Sequence, residues 1–305
     1  MSLSAPVRFS PDIENLRSDE AETVEALNKA FDTILETTAR DYDHAVRSVH
    51  AKAHGILEGT LEIGADLAPE LKQGLFAKPG AHRVFMRLST NAGDILPDTI
   101  SLPRGLALKV LDVEGERIAG AEGTTQDFIM VNGPVFQTKT ADTFLGNLKL
   151  LAKTTDRLEG TKEVLSTVLR GVNTALTAIG IESSTIQSLG GAPNVEPLGE
   201  TYYSVTPFRY GDYIAKFSIA PASEDLKRLT GETIDASGRP DAIRETVQAE
   251  MKSLVAVWDL RVQLCRDLEK QPIEDSTVEW DEEEAPFMPV ATLTVGCQDS
   301  WDAGR

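Results

Sequence analysis

Residues 47–55 read RSVHAKAHG and hold two of the four histidines in the 305-residue chain. A third, His44, lies just before them, so three of the four fall close together. Such histidines can be unconnected surface or buried structural residues, which is the commonest state of a histidine. His50 and His54 also have the spacing that places two metal ligands on one helical face, although no third ligand is evident nearby. The cluster therefore marks a candidate site without defining its chemistry.

Three further stretches follow in order: MRLSTNAGD at 86–94, PRGLALKV at 103–110 and NGPVF at 132–136. Around the first of them, alternation over 83–89 predicts a strand with Phe85, Arg87 and Ser89 on one face. Turned inward, this aromatic ring, cation and hydroxyl would line a pocket for an anionic aromatic ligand. Turned outward, they would form a solvated surface, and alternation alone favours that arrangement. The order of the four stretches reverses this preference, so we expect the face to point inward.

These four stretches, in this order and spacing, resemble the catalase superfamily, whose members carry segments like RVVHAKGAG, VRFST, PRGFAVKF and NNTPVFF. The resemblance covers about residues 40–137 well. Further along, PLGETYYSVTPFRYGDYIAK at 197–216 and VQLCRDLEKQPIEDSTVEW at 262–280 are similar to the small bacterial catalase-like subgroup, the catalase-related haem peroxidases. The resemblance implies an α+β catalase-like fold with a central antiparallel β-barrel and surrounding helices. It also implies haem b as cofactor and a haem-dependent hydroperoxidase activity on hydrogen peroxide or organic hydroperoxides.

The resemblance assigns roles to individual residues. His50 matches the distal histidine, which takes a proton from the peroxide and returns it to the departing oxygen. Ser89 matches the serine that orients this imidazole by a hydrogen bond. Four positions match cofactor-binding residues: Arg47 and Arg87 as partners of the haem propionates, Val49 as an apolar residue over the porphyrin, and Phe136 at the end of NGPVF.

Two departures from the family pattern bear on activity. Aligning NGPVF with NNTPVFF places Val131 where catalases have the asparagine that holds peroxide, and the adjacent Asn132 points to the opposite face of a strand. We therefore expect a peroxidase with weak catalase-type activity. Catalases also ligate iron through a tyrosine in an R-x-x-x-Y motif, and this sequence has no tyrosine after Tyr213. FRYGDY at 208–213 matches a barrel strand, so Tyr210 is not expected to be that ligand.

The missing tyrosine leaves a second function open. We expect the chain to lack the C-terminal segment that bears the proximal tyrosine, so that haem binds weakly or not at all, or is ligated by another residue or a partner chain. The alternative to an enzyme is a catalase-fold pseudoenzyme that binds a small apolar or anionic ligand.

The remaining pattern predicts a single catalase-like domain over residues 1–305, with an extended arm at 1–17. From Ser18, apolar residues recur at helical spacing, and Asp19 is positioned to cap the helix. Helical spacing also predicts an insertion at 141–180 and two helices, one after Ser223 and one over 240–254. Strands are predicted within 44–63 and at 83–89, 105–113, 127–132, 201–206, 213–219, 257–265 and 290–295.

Composition limits the partners. The 48 acidic and 30 basic residues give a formal charge of −18, and such a surface repels nucleic acid and anionic membranes. Mean hydropathy is −0.18, and neither a membrane-spanning run nor a secretory signal is evident, so we expect a cytoplasmic protein. Two cysteines do not make a disulfide framework, and Cys265 is expected to be a buried, inert thiol. The expected partners are a peroxide, a small-molecule electron donor and further copies of the chain in a dimer or tetramer.

Overall fold

The computed structural model describes residues 3–44, 46–118, 120–154 and 194–302, with the backbone alone over 150–154. Its strands are β1 (Ala53–Ile63), β2 (Gly80–Thr90), β3 (Arg104–Val110), β4 (Gln126–Val131), β5 (Tyr202–Tyr203), β6 (Phe208–Tyr210), β7 (Tyr213–Pro221), β8 (Ala256–Leu264) and β9 (Met288–Val295). They form one antiparallel sheet in the order β5-β4-β3-β2-β1-β9-β8-β7-β6. Because β5 also pairs with β7, eight of the strands close into a barrel, and β6 remains as a hairpin partner of β7.

Alternation along the strands fills the barrel with apolar side chains. On β2, Val84, Met86 and Leu88 are at most 1% exposed and belong to one cluster shared by the other strands. Burying a side chain of this size stabilises the fold by about 1.5–3 kcal/mol. Closure also pairs the strand edges that an open sheet would expose.

The other face of β2 lies outside the barrel. Phe85, Arg87 and Ser89 share it as alternation predicts, but the expectation that it points inward is wrong, because apolar side chains fill the interior. Nor is the face simply solvated. Ser89 is buried and Arg87 partly buried, because the loop that contains His50 lies over them.

Among the described residues, the α-helices are α1 (Glu20–Asp41), α2 (Ala141–Thr154), α3 (Glu224–Lys227) and α4 (Ala242–Met251). The first two pack together through a small apolar cluster of Ala30, Ile34, Leu145 and Leu148. Helix α1 begins after Asp19 as predicted, but the expected capping hydrogen bond is absent. The Asp19 carboxylate instead accepts hydrogen bonds of 2.9 and 2.7 Å from the guanidinium of Arg17.

Several strand ends differ from the prediction where the backbone turns left-handed. Asp112 has a φ of 54°, and the strand predicted to reach 113 ends at Val110. Val205 also has a φ of 54°, which leaves only Tyr202–Tyr203 of the strand predicted over 201–206. Positive φ is unfavourable for a β-branched side chain and breaks the extended conformation.

The predicted insertion at 141–180 is helical over 141–154, and its remainder lies outside the described residues. In the arm, the Val7 and Phe9 amides donate 2.8 Å hydrogen bonds to the carbonyls of Cys265 and Asp212. Cys265 is buried as predicted, and burial raises the pKa of its thiol to about 11.

A closed antiparallel barrel with helices outside it confirms the predicted α+β fold class. None of the described helices combines the length and apolar character needed to cross a bilayer.

Candidate active site

His50 lies in the loop between α1 and β1, with its backbone in the left-handed region at a φ of 51°. Histidine adopts this conformation more readily than most residues with a side chain. The loop is tied to the segment after β2, since the His50 amide donates to the Asn91 carbonyl at 3.1 Å and the Ala51 amide to the Ala92 carbonyl at 2.9 Å. These bonds hold the His50 side chain over the outer face of β2.

Arg87 supports the same loop from the strand below it. One guanidinium nitrogen, Nη2, donates to the carbonyl oxygens of His50 at 2.7 Å and Ala51 at 3.3 Å. A carbonyl next to a left-handed residue falls out of the regular strand ladder and needs another donor. A hydrogen bond from a charged group to such an oxygen stabilises by about 1.5–3 kcal/mol.

The imidazole of His50 is held through one of its two nitrogens. Nδ1 lies 3.0 Å from the Ser89 hydroxyl oxygen, and that hydroxyl donates to the Gly105 carbonyl at 3.4 Å. When the Ser89 hydroxyl donates its hydrogen to the Gly105 carbonyl, its oxygen can accept a hydrogen bond from Nδ1–H of His50. In that tautomer Nε2 carries a lone pair and can accept a proton. No residue that the structure describes forms a hydrogen bond with Nε2, so this nitrogen is left for a ligand.

A row of three residues lies beneath the ring. Ser89 on β2 pairs with Gly105 on β3, and Gly105 pairs with Val131 on β4. Directly opposed residues of antiparallel strands point to the same face. Val131 therefore presents an apolar side chain on the face that carries Ser89. Asn132 is used elsewhere: it accepts from the Arg104 amide at 2.8 Å and donates to the Glu200 carboxylate at 2.8 Å.

The electrostatics keep His50 neutral. Burial lowers the pKa of its imidazole to about 4, and the positive charges of Arg87 and Arg47 add to the effect. The pKa of Arg87 itself is lowered to about 10 by burial and by Arg47. In the part of the chain that the structure describes, neither arginine forms an ion pair with a carboxylate. Two adjacent uncompensated cations attract an anion, and a neutral imidazole can accept a proton.

The other predicted cofactor residues are placed differently. Arg47 is exposed and Val49 partly buried, both in the loop that carries His50. Phe136 lines a groove of 620 Å³ beside Phe9, Phe144 and Phe208, and its ring centroid lies 5.3 Å from that of Phe144. The lining of that groove does not include His50, Arg47 or Arg87. The structure thus gathers Arg47, Val49, His50, Arg87 and Ser89, and puts Phe136 in a separate groove.

His54 does not share a helical face with His50. It belongs to β1, not to a helix, and is fully buried, with Nε2 2.6 Å from the Thr90 hydroxyl oxygen. Burial holds the pKa of His54 well below its usual value, and the charges of Arg104 and Lys52 add to this. Among the described residues no three histidine, cysteine or acidic side chains come together as metal ligands.

The tyrosines have other partners. Tyr202 and Tyr210 are buried and donate to the carbonyls of Pro197 and Leu71 at 3.0 and 2.6 Å. Tyr42 bonds to the Asp94 carboxylate. The ring of Tyr203 lies 5.8 Å from that of Phe287, and the ring of Tyr213 lies 5.7 Å from the Arg8 guanidinium.

Sequence reasoning missed Gly105. A glycine within a strand often marks a position where another group approaches the backbone closely. The stretch PRGLALKV contains such a glycine near the start of β3. The partner of that approach could not be read from the sequence, because His50 is more than fifty residues away.

Comparison with known proteins places this architecture. No protein-family model matches the chain, and no curated protein does. Solved structures do match. Catalase A from Saccharomyces cerevisiae has a TM-score of 0.60 and 16% identity over 98% of this chain, and a bacterial catalase has 0.59 and 18% over 98%. The chain has the catalase fold. A fungal catalase agrees, with a TM-score of 0.57 and 17% identity over 97% of the chain. The chain spans 55–59% of the length of these three catalase structures.

The catalase fold allows the residues around His50 to be tested against a haem, the cofactor that the sequence resemblance implies. Two guanidinium groups without carboxylate partners suit a ligand with two carboxylates. A neutral imidazole with a free Nε2 suits the peroxide side of a haem, and Val49 and Val131 supply apolar surface. The described residues therefore fit one face and the anionic edge of the cofactor. Three of the five tyrosine hydroxyls, those of Tyr42, Tyr202 and Tyr210, are already hydrogen-bonded to Asp94, Pro197 and Leu71, which leaves them poorly placed to ligate its iron.

Proposed function

We propose that this chain is a haem-dependent hydroperoxidase, a peroxidase with weak catalase-type activity on hydrogen peroxide or organic hydroperoxides. One observation carries the proposal. The imidazole of His50 is anchored through Nδ1 to Ser89, and its Nε2 is free of described partners, beside two uncompensated arginines. A ring nitrogen without a partner is not specific by itself, since buried His54 also has one. What distinguishes His50 is that its free nitrogen lies among the charges of two arginines that have no described carboxylate partner.

Three residues would hold the cofactor. Arg47 and Arg87 would bind its carboxylates, and Val49 would pack on its face. Bound haem would supply the iron that polarises the peroxide and takes up the oxidising equivalents. Arg87 has donors to spare for this, because its bonds to the His50 loop use only one of the guanidinium nitrogens.

His50 would move the proton. With a pKa of about 4 it is neutral near pH 7, so Nε2 can accept the hydroperoxide proton and return it to the departing oxygen, which leaves as water or an alcohol. Ser89 keeps the ring in the orientation that directs Nε2 away from the barrel wall. Val131 offers no donor where catalases have an amide, which favours oxidation of an organic donor over that of a second peroxide.

The experiment is a titration with haemin followed by an assay. A Soret band should develop, and peroxide-dependent dye oxidation should appear with it. His50→Ala should retain the band and lose about 100-fold or more of the turnover, the usual contribution of a positioned acid–base group. His82→Ala is the matched control and should act as wild type, because this histidine lies at the opposite end of β2 from Ser89 and its Nδ1 bonds to the Leu111 carbonyl. Full turnover in His50→Ala would refute the mechanism.

A second candidate is a catalase-fold pseudoenzyme that binds a small apolar or anionic ligand. It is favoured by the tyrosines, because the hydroxyls of Tyr42, Tyr202 and Tyr210 are already engaged in hydrogen bonds with other groups. Under this proposal no Soret band of protein-bound haem would develop with haemin, while the melting temperature would rise with a fatty acid and this rise would be lost in Arg47→Gln. A Soret band with peroxide turnover would exclude it.

A further inference from the structure

Gly105 has no room for a side chain, and the group that occupies the room is the imidazole of His50. A Cβ atom on Gly105 would lie 2.5 Å from His50 Nδ1, closer still to Cε1, and 3.3 Å from the Ser89 hydroxyl oxygen. Ordinary van der Waals contact begins at 3.4 Å. These three are the nearest atoms to that position, and all of them belong to the candidate site.

The backbone gives no other reason for glycine at this position. Gly105 is not among the glycines with positive φ, and it pairs in regular register with both β2 and β4. Glycine in the middle of a sheet is unfavourable, because it loses more chain entropy on folding and packs no side chain. A larger residue would therefore be preferred if the imidazole did not lie there.

The carbonyl of Gly105 has a second effect on the ring. Its oxygen lies 3.4 Å from the Ser89 hydroxyl oxygen, which in turn lies 3.0 Å from Nδ1. When the hydroxyl donates to Gly105, a lone pair of Ser89 faces Nδ1, so that Nδ1 carries the proton and Nε2 is the nitrogen that can accept one. One residue thus acts on both the place and the tautomer of the imidazole.

We propose that Gly105 is a positioning residue for His50: its absent side chain sets where the ring lies, and its carbonyl, through Ser89, selects the nitrogen that carries the proton. The consequence for turnover rests on the proposed function. The geometry of the ring does not, and it can be tested on the haem-free chain.

The first test is nitrogen NMR of the labelled haem-free protein. Wild type should show His50 protonated at Nδ1. In Gly105→Ala the ring must shift by about 1 Å, lose the Ser89 contact and gain Nε2–H population. Gly80→Ala is the matched control, because it lies on β2 with open space around it, and its His50 signals should equal those of wild type. Protonation at Nε2 in wild type, or unchanged signals in Gly105→Ala, would overturn the proposal.

If Gly105→Ala folds poorly, a double-mutant cycle with His50→Ala, followed by melting temperature, tests the same proposal. If the imidazole is what excludes a side chain, Gly105→Ala should lower the melting temperature in wild type and leave it nearly unchanged in a His50→Ala background. An equal loss in both backgrounds, or failure to fold in both, would show that something other than the ring excludes the side chain.

Turnover then separates this inference from the proposed function. With haemin, Gly105→Ala should keep the Soret band and lose about 100-fold in peroxide turnover, the effect of a misplacement of about 1 Å. Turnover equal to wild type would overturn the role of Gly105 in the reaction. A wild type that binds no haemin would refute the proposed function alone, since the NMR result decides the geometry.

Discussion

The guanidinium of Arg87 donates a 2.7 Å hydrogen bond to the carbonyl oxygen of His50. The same nitrogen reaches the carbonyl of Ala51 at 3.3 Å, so the cation holds the backbone where it leaves the left-handed residue. A guanidinium has five N–H donors in a planar fork, and its remaining donors can face an anion. One side chain can thus support both the histidine loop and a carboxylate ligand.

Replacing Arg87 should therefore destabilise the fold even without a cofactor. Arg87→Gln removes charged donors from two carbonyls and should lower the free energy of unfolding by about 1.5–3 kcal/mol in urea titrations of the haem-free protein. Arg83→Gln is the control on the same strand. Its ion pair with Glu58 is exposed and should contribute about 1 kcal/mol or less. Equal losses in the two variants would contradict the role given to Arg87.

The pH dependence of His50 follows from its neighbours. Its pKa of about 4 lies below the ordinary value because of burial, Arg87 and Arg47, so the ring loses its proton acceptor only as the pH falls through about 4. Arg47 is exposed, and Arg47→Gln removes a positive charge while burial of the ring stays the same. The pKa of His50 should rise, and the acid limb of turnover should move to higher pH. NMR titration of His50 and a pH–rate profile measure this, and an unmoved or lower limb would contradict it.

A buried ion pair beside the site should be a large determinant of stability. Lys52, which follows the His50 loop, lies 2.8 Å from Asp98, and both side chains are almost fully buried. Among the described residues, Asp98→Asn leaves the ammonium with the partly exposed Asp241, at 3.3 Å, as its remaining ion-pair partner. Removing one member of such a pair costs about 3–5 kcal/mol, so the urea midpoint should fall strongly.

The control for this variant is Asp127→Asn. Asp127 pairs with Lys109 at 2.7 Å on the exposed outer face of the barrel, and its loss should cost about 1 kcal/mol or less. If Asp98→Asn were no more destabilising than this control, the buried pair would not contribute as its burial indicates.

Val131 gives a prediction about the type of reaction. Val131→Asn would place an amide on the outer face in register with Gly105. Under the proposed function, this amide would be a donor on the side where the peroxide binds. In the haemin-loaded protein, the ratio of oxygen release to dye oxidation should rise severalfold, with the Soret band unchanged. Asn132→Ala should instead reduce stability by about 1–3 kcal/mol, because it leaves the Arg104 amide and the partly buried Glu200 without this partner. A ratio that does not change in Val131→Asn would refute the role of this position.

Local patterns predicted much of the fold. Alternation at 83–89 and helical spacing after Asp19 gave β2 and α1, and the four ordered motifs gave the barrel and the pairing of His50 with Ser89. The left-handed conformations of Asp112 and Val205 were not predicted, because neither residue is a glycine, the residue type that usually marks such a position in a sequence.

The rest of the site depends on register between distant strands. Arg87 and Gly105 act on His50 only because β1, β2 and β3 pair as they do. The face of β2 that carries Arg87 lies outside the barrel, contrary to the prediction. Alternation tells which residues share a face of a strand, but it does not tell whether that face points into the barrel. Phe136 was expected to contact the cofactor and lies in a separate groove, and its role there remains a prediction.

The shortness of β5 has a consequence for how the barrel fluctuates. Its two residues join β4 through a single residue pair, Val131 with Tyr203, whereas β2 and β3 are joined by seven. We expect hydrogen exchange of backbone amides to begin where two neighbouring strands share the fewest residue pairs, which is between β4 and β5. Val131 belongs to the single pair between β4 and β5, while Ser89 and Gly105 belong to the seven pairs between β2 and β3. Local opening between β4 and β5 would therefore move Val131 and leave Ser89 and Gly105, which hold the imidazole, in place.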